Sequence, residues 1–243
     1  MSYQLHYKRF SERAILVSWP TKIDKKILED LLSFKNYILN NDIKEIVYVN
    51  NAYNSLLIYY KLTIDNVNDE ILRLKDLYSS KKNQIVLSSK LWKIPVCYDE
   101  EFGLDLNDIA TQNNQSIDDV ILWHSTPVYT VFFIGFLPGF LYLGGLDERL
   151  FIPRRKTPRA RIEKGAVAIG GNQTGIYPNV SPGGWHIIGN TPIELFDVNT
   201  SPPCMISAGD CIKFEPVSRD AYEHIKQRIN EQSYELKFDL IHG

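Results

Sequence analysis

The amino-acid sequence predicts an α+β protein made of two domains, residues 1–88 and residues 89–243. In the first range, segments with the two-residue alternation of strands are interspersed with two segments that have the spacing of amphipathic helices. In the second, short apolar segments are separated by turns rich in glycine, proline and asparagine, which is typical of a barrel or a sandwich. A chain of 243 residues with 44% hydrophobic residues can bury either one large core or two modest ones.

The predicted elements of residues 1–88 come in the order of a ferredoxin-like β-α-β-β-α-β domain, with one extra strand near the start. The strands are predicted at residues 4–10, 14–19, 45–49, 56–60 and 84–87. The first helix follows Thr21, since apolar residues then recur at helical spacing. The second helix is capped by Asp65 or Asn66, both of which are good N-cap residues.

Residues 89–243 are predicted to be mainly β. Strands are expected at residues 128–134, 166–169, 185–188, 193–196 and 211–215, and helices at residues 105–112, 117–123 and 219–231. The apolar run from Tyr129 to Leu146 is long enough for a membrane span, but several glycines and Pro138 interrupt it. We therefore expect a buried strand followed by a tight, glycine-rich loop.

The charge and the cysteines of the chain narrow the choice of partners. The formal net charge is −2, from 27 basic and 29 acidic residues, so no overall field draws the protein to nucleic acid or to an anionic membrane. The cysteines Cys97, Cys204 and Cys211 include no C-x-x-C pair, which favours a reducing compartment and predicts no metal site. Because the N-terminal residues are too polar for a secretory signal, we expect a cytoplasmic protein.

The sequence contains none of the common signatures of phosphate loops, dinucleotide-binding folds, zinc proteases or serine hydrolases, so motifs alone predict no reaction and no catalytic residue. Candidate binding residues lie instead in four loops. In the first, residues 135–142, glycines let backbone amides approach a ligand, while Phe136 and Tyr142 offer flat apolar walls. A core strand that ends in a structural turn explains this loop equally well.

The second loop, residues 154–161, has five cations within eight residues and no acid. The planar guanidinium groups of Arg154, Arg155 and Arg159 match the geometry of carboxylate and phosphate groups, which predicts an anionic ligand. The alternative is a solvated basic loop with weak affinity for RNA.

The third and fourth loops, residues 170–178 and 181–186, combine glycine, amide and hydroxyl groups with aromatic rings. Such segments lose much backbone entropy on folding and add little core, which favours a recognition surface over simple β-turns. The candidate ligand contacts in them are Gln173, Tyr177, Trp185 and His186.

Other polar residues favour a structural role. His124, beside Trp123 near the end of a predicted helix, is expected to be a hydrogen-bonded core or capping histidine rather than a base. The acids Asp99, Glu100 and Glu101 form either a carboxylate cluster for acid–base chemistry or, more commonly, a solvated turn.

In these loops, the sequence resembles the family that comprises the kinase A inhibitor, the B subunit of 5-oxoprolinase and allophanate hydrolase subunit 1. The similar segments span about residues 91–216 and include 94–98, 101–103, 124–127, 129, 133–140, 142–146, 153–155, 157–159, 170–178, 181–185, 188–189 and 195–197.

The resemblance implies that residues 89–243 form a cyclophilin-like β-barrel. It also implies a subunit of an ATP-dependent 5-oxoprolinase, which hydrolyses 5-oxo-L-proline to L-glutamate together with a homologous C subunit and an A subunit. ATP is then used by the complex, without an assigned site on this chain. The small carboxylated cyclic amide is expected in a cleft near His186 that is formed by Phe136, Tyr142, Arg154, Arg155, Arg159, Gln173, Tyr177 and Trp185.

Two further functions of the family stay open. One is a non-catalytic inhibitor that binds a sensor histidine kinase, and the other is an allophanate hydrolase or urea carboxylase-like subunit. Prolyl isomerisation would rest on fold analogy alone. The sequence departs from the family pattern at Asp99, Glu100, Leu104, Asn172 and Asn190, and the last two changes alter the polarity of the expected cleft.

Overall fold

The computed structural model describes residues 3–41, 46–81 and 89–241. The chain divides into two compact units, Met1–Leu87 and Ser88–Gly243, here called the N-terminal and the C-terminal unit. The predicted strand at residues 84–87 and the predicted boundary at residue 88 lie outside the described residues.

The N-terminal unit contains one four-stranded sheet and two helices. Its elements are β1 (His6–Ser11), β2 (Ala14–Ser18), α1 (Lys25–Asn40), β3 (Ile46–Asn51), β4 (Ser55–Tyr60) and α2 (Val67–Ser80). The strands pair antiparallel in the order β1-β2-β4-β3, so β4 lies between the two strands that α1 connects. Asp24 caps α1 by accepting a hydrogen bond from the Lys26 amide, and Asn66, one of the two predicted candidates, caps α2.

The C-terminal unit is mainly β. Its elements are β5 (Ser89–Val96), α3 (Leu106–Gln112), α4 (Ile117–Ser125), β6 (Tyr129–Ile134), β7 (Leu141–Gly144), a 3-10 turn (Glu148–Leu150), β8 (Arg159–Ile162), β9 (Ala166–Gly170), β10 (Gln173–Ile176), β11 (Ser181–Gly183), β12 (His186–Asn190), β13 (Cys211–Pro216), α5 (Arg219–Asn230) and β14 (Phe238–Ile241).

Eight strands of this unit form one sheet in the order β12-β9-β10-β7-β6-β13-β5-β14. A further bridge joins Asn190 of β12 to Cys97, the residue after β5, through two backbone hydrogen bonds of 2.9 Å. The bridge closes the first seven strands into a barrel and leaves β14 outside the ring.

Residues of β9 alternate between two apolar cores. Val167 and Ile169 pack inside the barrel, while Ala166 and Ala168 face a smaller cluster on the outer surface. The paired strands β8 and β11 belong to that outer layer, because Ile162 of β8 packs in the smaller cluster. The fold therefore places the predicted second to fourth loops around the outer face of the barrel.

The structure corrects four predictions for this half of the chain. Residues 193–196 form no strand, although Ile193 and Leu195 are buried and Glu194 is exposed as in a strand. Alternating burial shows only that one side of an extended segment packs against the core. It does not require hydrogen bonds to a neighbouring strand. The predicted loop at residues 170–178 contains β10, the loop at residues 181–186 contains β11, and the loop after β6 continues into β7 to form a hairpin.

Within the described part of the chain, no helix combines the length and the apolar character needed to cross a membrane.

Candidate functional site

Aromatic rings from the first, third and fourth predicted loops pack together on the outer face of the barrel. Phe140, which the sequence analysis did not single out, lies at their centre, with its ring centroid 4.8 Å from Tyr142, 5.1 Å from Tyr177 and 5.6 Å from Trp185. Tyr177 and Trp185 are only 2% and 4% exposed. These two predicted ligand contacts are therefore mainly the base of the site.

Phe136 is the exposed member of the aromatic group. Its side chain is 60% exposed, and its ring meets Phe140 edge-on at 5.5 Å. Its backbone has φ of +64°, a left-handed conformation that is strained for a bulky residue. Strain of this kind concentrates at functional sites, which makes the exposed ring a candidate contact for a ligand or a partner.

Arg154 provides a positive charge next to these rings. Its guanidinium lies 5.5 Å from the centroid of the Trp185 ring, and it has no carboxylate partner among the residues described. Burial raises the pKa of Tyr142 and of Tyr177, while the charge of Arg154 acts in the opposite direction. Both phenols therefore stay neutral at neutral pH, and Arg154 is free to bind an anion.

Gln173 faces the same aromatic group. It pairs with Gly170 across β10 and β9, and cross-strand partners point to the same side of a sheet. A side chain at Gly170 would approach the Trp185 ring to 2.6 Å, so that side of the sheet is the one that Trp185 covers. The side chain of Gln173, which can both donate and accept hydrogen bonds, therefore lies on the face of the sheet that carries Trp185.

Arg155 and Arg159 have a different arrangement, because both bind the buried carboxylate of Asp105. Arg159 makes two hydrogen bonds of 2.7 and 2.8 Å to its two oxygens, and Arg155 makes one of 3.0 Å. The Ile187 amide donates a further bond of 2.6 Å. The sequence analysis missed Asp105, whose only signal was an acidic residue at the start of a predicted helix.

The Asp105 cluster keeps one net positive charge, because two guanidinium groups share one carboxylate. The Asp105 side chain is 1% exposed, and this burial raises its pKa. The hydrogen bonds from Arg159 and Ile187, with the charges of Arg159 and Arg155, outweigh that effect and lower the pKa overall. The carboxylate is therefore ionised at neutral pH.

His186 is tied to the backbone of the basic loop. Its Nε2 donates to the carbonyl oxygen of Pro153 at 3.0 Å, and the Arg155 amide donates to the carbonyl of Gly184 at 2.8 Å. These two bonds attach the segment that carries Arg154 to the end of the fourth loop. The structure thus brings the arginine segment and the Trp185 turn together, as the sequence analysis expected.

His124 lies inside the barrel and takes no part in this surface. Its Nδ1 accepts from the Tyr98 hydroxyl at 2.7 Å, and its Nε2 donates at 2.9 Å to Thr174, whose hydroxyl in turn donates to the Ala168 carbonyl. Burial lowers the pKa of His124 to about 3, so the ring is neutral. This agrees with the predicted role as a core histidine.

The acidic residues after β5 form a turn. The carbonyl of Asp99 accepts hydrogen bonds from the amides of Phe102 and Gly103, and the Glu101 carboxylate pairs with Arg219. In the described ranges, no group of three or more His, Cys, Asp or Glu residues is arranged to hold a metal ion.

The fold and the site define an α+β protein whose closed sheet carries an arginine-bearing aromatic surface suited to a small anion. The chain belongs to the family described as carboxyltransferase domain, subdomain C and D, whose model matches residues 5–206.

Two curated relatives and one solved structure extend this assignment. The B subunit of 5-oxoprolinase from Haemophilus influenzae is 40% identical over 84% of this chain and 94% of its own length. The protein of the same name from Bacillus subtilis is 30% identical over 95% of this chain and all of its own length. The urea amidolyase of K. lactis has a TM-score of 0.83 at 21% identity, covering 99% of this chain and 16% of that one, which shows a shared fold.

Proposed function

We propose that this chain is the B subunit of an ATP-dependent 5-oxoprolinase, which hydrolyses 5-oxo-L-proline to L-glutamate in a complex with a homologous C subunit and an A subunit. The observation that carries this proposal is the likeness to the Haemophilus and Bacillus proteins of that name over nearly their whole lengths. The complex is the enzyme, and this chain alone is expected to be inactive.

The surface around Arg154 suits a small carboxylated cyclic amide. A guanidinium binds a carboxylate with charge-assisted hydrogen bonds, and Arg154 has no competing acid among the described residues. Gln173 can exchange hydrogen bonds with the amide of the ring, and the rings of Phe136 and Tyr142 can cover its flat faces. These roles concern binding, and the catalytic residues stay unassigned.

Arg155 and Arg159 are weaker candidates than Arg154 for binding the substrate, because both form ion pairs with Asp105.

These ion pairs also bear on where ATP binds. With one positive charge of the arginine pair already neutralised, the donors of this chain fit one small carboxylate better than a triphosphate. ATP supplies the energy for opening the cyclic amide, and we assign its binding to the complex rather than to residues of this chain.

We also propose the finer architecture that the resemblance implies. The position of β4 between β2 and β3 supports a ferredoxin-like N-terminal domain, and the closed seven-stranded ring supports a cyclophilin-like C-terminal barrel. Three free cysteines agree with a cytoplasmic location.

The alternative functions have less support. Inhibition of a histidine kinase has no observation of its own in the site or in the names of the relatives. A urea carboxylase-like role is supported by a curated urea amidolyase from Lachancea kluyveri, but that protein is 23% identical and this chain covers 14% of it. The names of the more similar relatives therefore favour 5-oxoprolinase.

The proposal is tested by assembling this chain with its A and C partners and measuring ATP-dependent release of glutamate. Replacing Arg154 by Gln is expected to raise KM for 5-oxoproline by about tenfold or more, since it removes a charge-assisted hydrogen bond. Arg149→Gln is the matched control, because Arg149 also lies over a tryptophan, Trp123, at 4.2 Å. Equal kinetics for both variants would remove Arg154 from the substrate site.

A further inference from the structure

A separate cleft lies beside Arg159 in the C-terminal unit. It has a volume of about 460 Å³ and is bounded by the turn before α3, strand β8 and helix α5. We call it the Arg159 cleft, and its lining includes Phe102, Leu104, Arg159, Ile187, Tyr222 and Lys226. Arg154, Tyr142 and Trp185 do not line it, so it is distinct from the surface proposed above for the substrate.

One wall of the Arg159 cleft is the guanidinium of Arg159, which is fixed in place. Two of the five N–H groups of this guanidinium bind Asp105, which leaves three donors for a ligand. The buried carboxylate holds the planar group in one orientation and leaves a net positive charge on the cluster with Arg155. A rigid cation of this kind loses little conformational entropy on binding an anion.

A second cation lies on the helix side of the cleft. The Lys226 ammonium is 5.9 Å from the centroid of the Tyr222 ring and has no acidic partner in the described ranges. The acids at the rim are already engaged, Glu101 by Arg219 and Glu163 by Arg161 at 2.6 Å. The charges available to a ligand are therefore positive.

The cleft also has an apolar part, beside the ion-paired Arg161 and Lys164. The rings of Phe102 and Tyr222 lie 4.7 Å apart, and the Tyr222 hydroxyl is occupied by a hydrogen bond of 2.9 Å to Asn190. Leu104 is 58% exposed at the mouth of the cleft, and the buried Ile187 lies at its base. An exposed leucine beside two rings favours a ligand with an apolar body.

We propose that the Arg159 cleft binds a small carboxylate on an apolar ring, with the carboxylate between Arg159 and Lys226 and the ring against Phe102, Tyr222 and Leu104. A negative carboxylate on an apolar ring is common to 5-oxoproline and to other ring carboxylates, so either kind of molecule fits this description. The proposal concerns a site apart from Arg154, and it stands whether or not the chain belongs to a 5-oxoprolinase.

The test is a titration of the full-length chain followed by nuclear magnetic resonance of its backbone amides. The ligands are cyclopentanecarboxylate, 5-oxoproline and the uncharged cyclopentanecarboxamide. Saturable shifts around Tyr222 and Lys226 are expected with a ring carboxylate and not with the amide. Binding of 5-oxoproline here would identify a substrate-like ligand, and binding of cyclopentanecarboxylate alone would identify another ring acid; both results support the cleft.

A matched pair of lysine variants assigns the site. Lys226→Met is expected to weaken binding of the ring carboxylate about fivefold, the effect of losing one exposed ion pair. Lys156→Met, on the loop of Arg154, is expected to leave it unchanged, since Lys156 is also exposed and without an acidic partner in the part of the chain described here. Both positions are on the surface, so folding is preserved.

Three results would overturn the proposal. The first is the absence of saturable shifts in the cleft with either carboxylate. The second is equal binding of the uncharged amide, and the third is loss of binding in Lys156→Met but not in Lys226→Met.

Discussion

Two buried polar clusters of the C-terminal unit differ in charge and in access to solvent. His124, inside the barrel, is neutral and exchanges hydrogen bonds with Tyr98 and Thr174. Asp105, at the start of α3, is ionised, and its partners Arg155 and Arg159 reach the surface. The enclosed cluster keeps no net charge, whereas the one at the rim keeps a positive charge that an anion can use.

The difference shows how burial divides structural from functional polar groups in this barrel. A group with no route to water must be fully paired and neutral, because an unpaired charge there is very costly. A cluster at the rim can keep a net charge, since solvent and salt screen that charge. This division predicts that the two clusters respond differently to mutation and to acid.

The largest loss of stability is expected for Asp105→Ala. Removing one partner of a buried pair costs about 3–5 kcal/mol, and the partial exposure of both arginines places this variant near 3 kcal/mol. Urea unfolding of the full chain measures the change. Glu163→Ala, which removes an exposed partner of Arg161, should cost under about 1 kcal/mol, and equal losses in the two variants would contradict a structural role for Asp105.

His124→Phe is expected to destabilise the barrel by about 2 kcal/mol, because the Tyr98 hydroxyl loses its acceptor and Thr174 loses a donor. The phenyl ring keeps the packing against Phe214, whose ring centroid lies 4.6 Å away. The free energy of unfolding in urea measures the loss. The exposed His224 is the control, since its replacement by Phe should change stability by less than about 0.5 kcal/mol.

The two clusters should also respond to acid in different pH ranges. The pKa of His124 is lowered from 6.5 to about 3 on folding, so the unfolded chain binds the proton first. Its contribution to stability is complete above about pH 6.5 and is lost at up to about 1.4 kcal/mol per pH unit as the pH falls towards 3. Asp105, with a pKa lowered from 3.8, adds its loss only below about pH 4.

Urea unfolding at a series of pH values between 4 and 8 checks this separation. The wild-type chain should lose more stability than His124→Phe between pH 6.5 and 4.5, and the difference between the two should narrow. Parallel curves for the two proteins would show that His124 does not titrate in this range.

The smallest effect on stability is expected for Phe136→Gly. Glycine relieves the left-handed strain at φ of +64° but adds entropy to the unfolded chain and loses a ring contact, so the net change should stay within about 1 kcal/mol. If the exposed ring contacts substrate, KM of the assembled enzyme should rise while urea stability hardly changes. A large loss of stability would instead make Phe136 a packing residue.

The sequence predicted those elements whose apolar pattern is local. The helix α2 and the strand β6 are examples, because a single segment of the sequence carries the pattern of each. The grouping of Arg154 with Trp185 was predicted from residue types and family resemblance, and the structure brings them together.

The remaining features depend on long-range pairing. Asp105 finds Arg159 across 54 residues of sequence, and no local pattern indicates this contact. The strand β10 was predicted to be a loop because residues 170–178 are rich in glycine. Its single glycine, Gly175, is required by packing, since Phe140 leaves no space there for a side chain. The strand predicted at residues 193–196 is absent because burial on one side alone produces the same alternation of apolar and polar residues.

The most direct test of the proposed function is to omit this chain from the reconstituted enzyme and then add it back. The A and C partners alone should release little glutamate from 5-oxoproline with ATP, and addition of the purified chain should restore the rate in proportion to the amount of complex formed. Full activity without the chain, or no activity in a complex that has assembled with it, would contradict its proposed place as the B subunit.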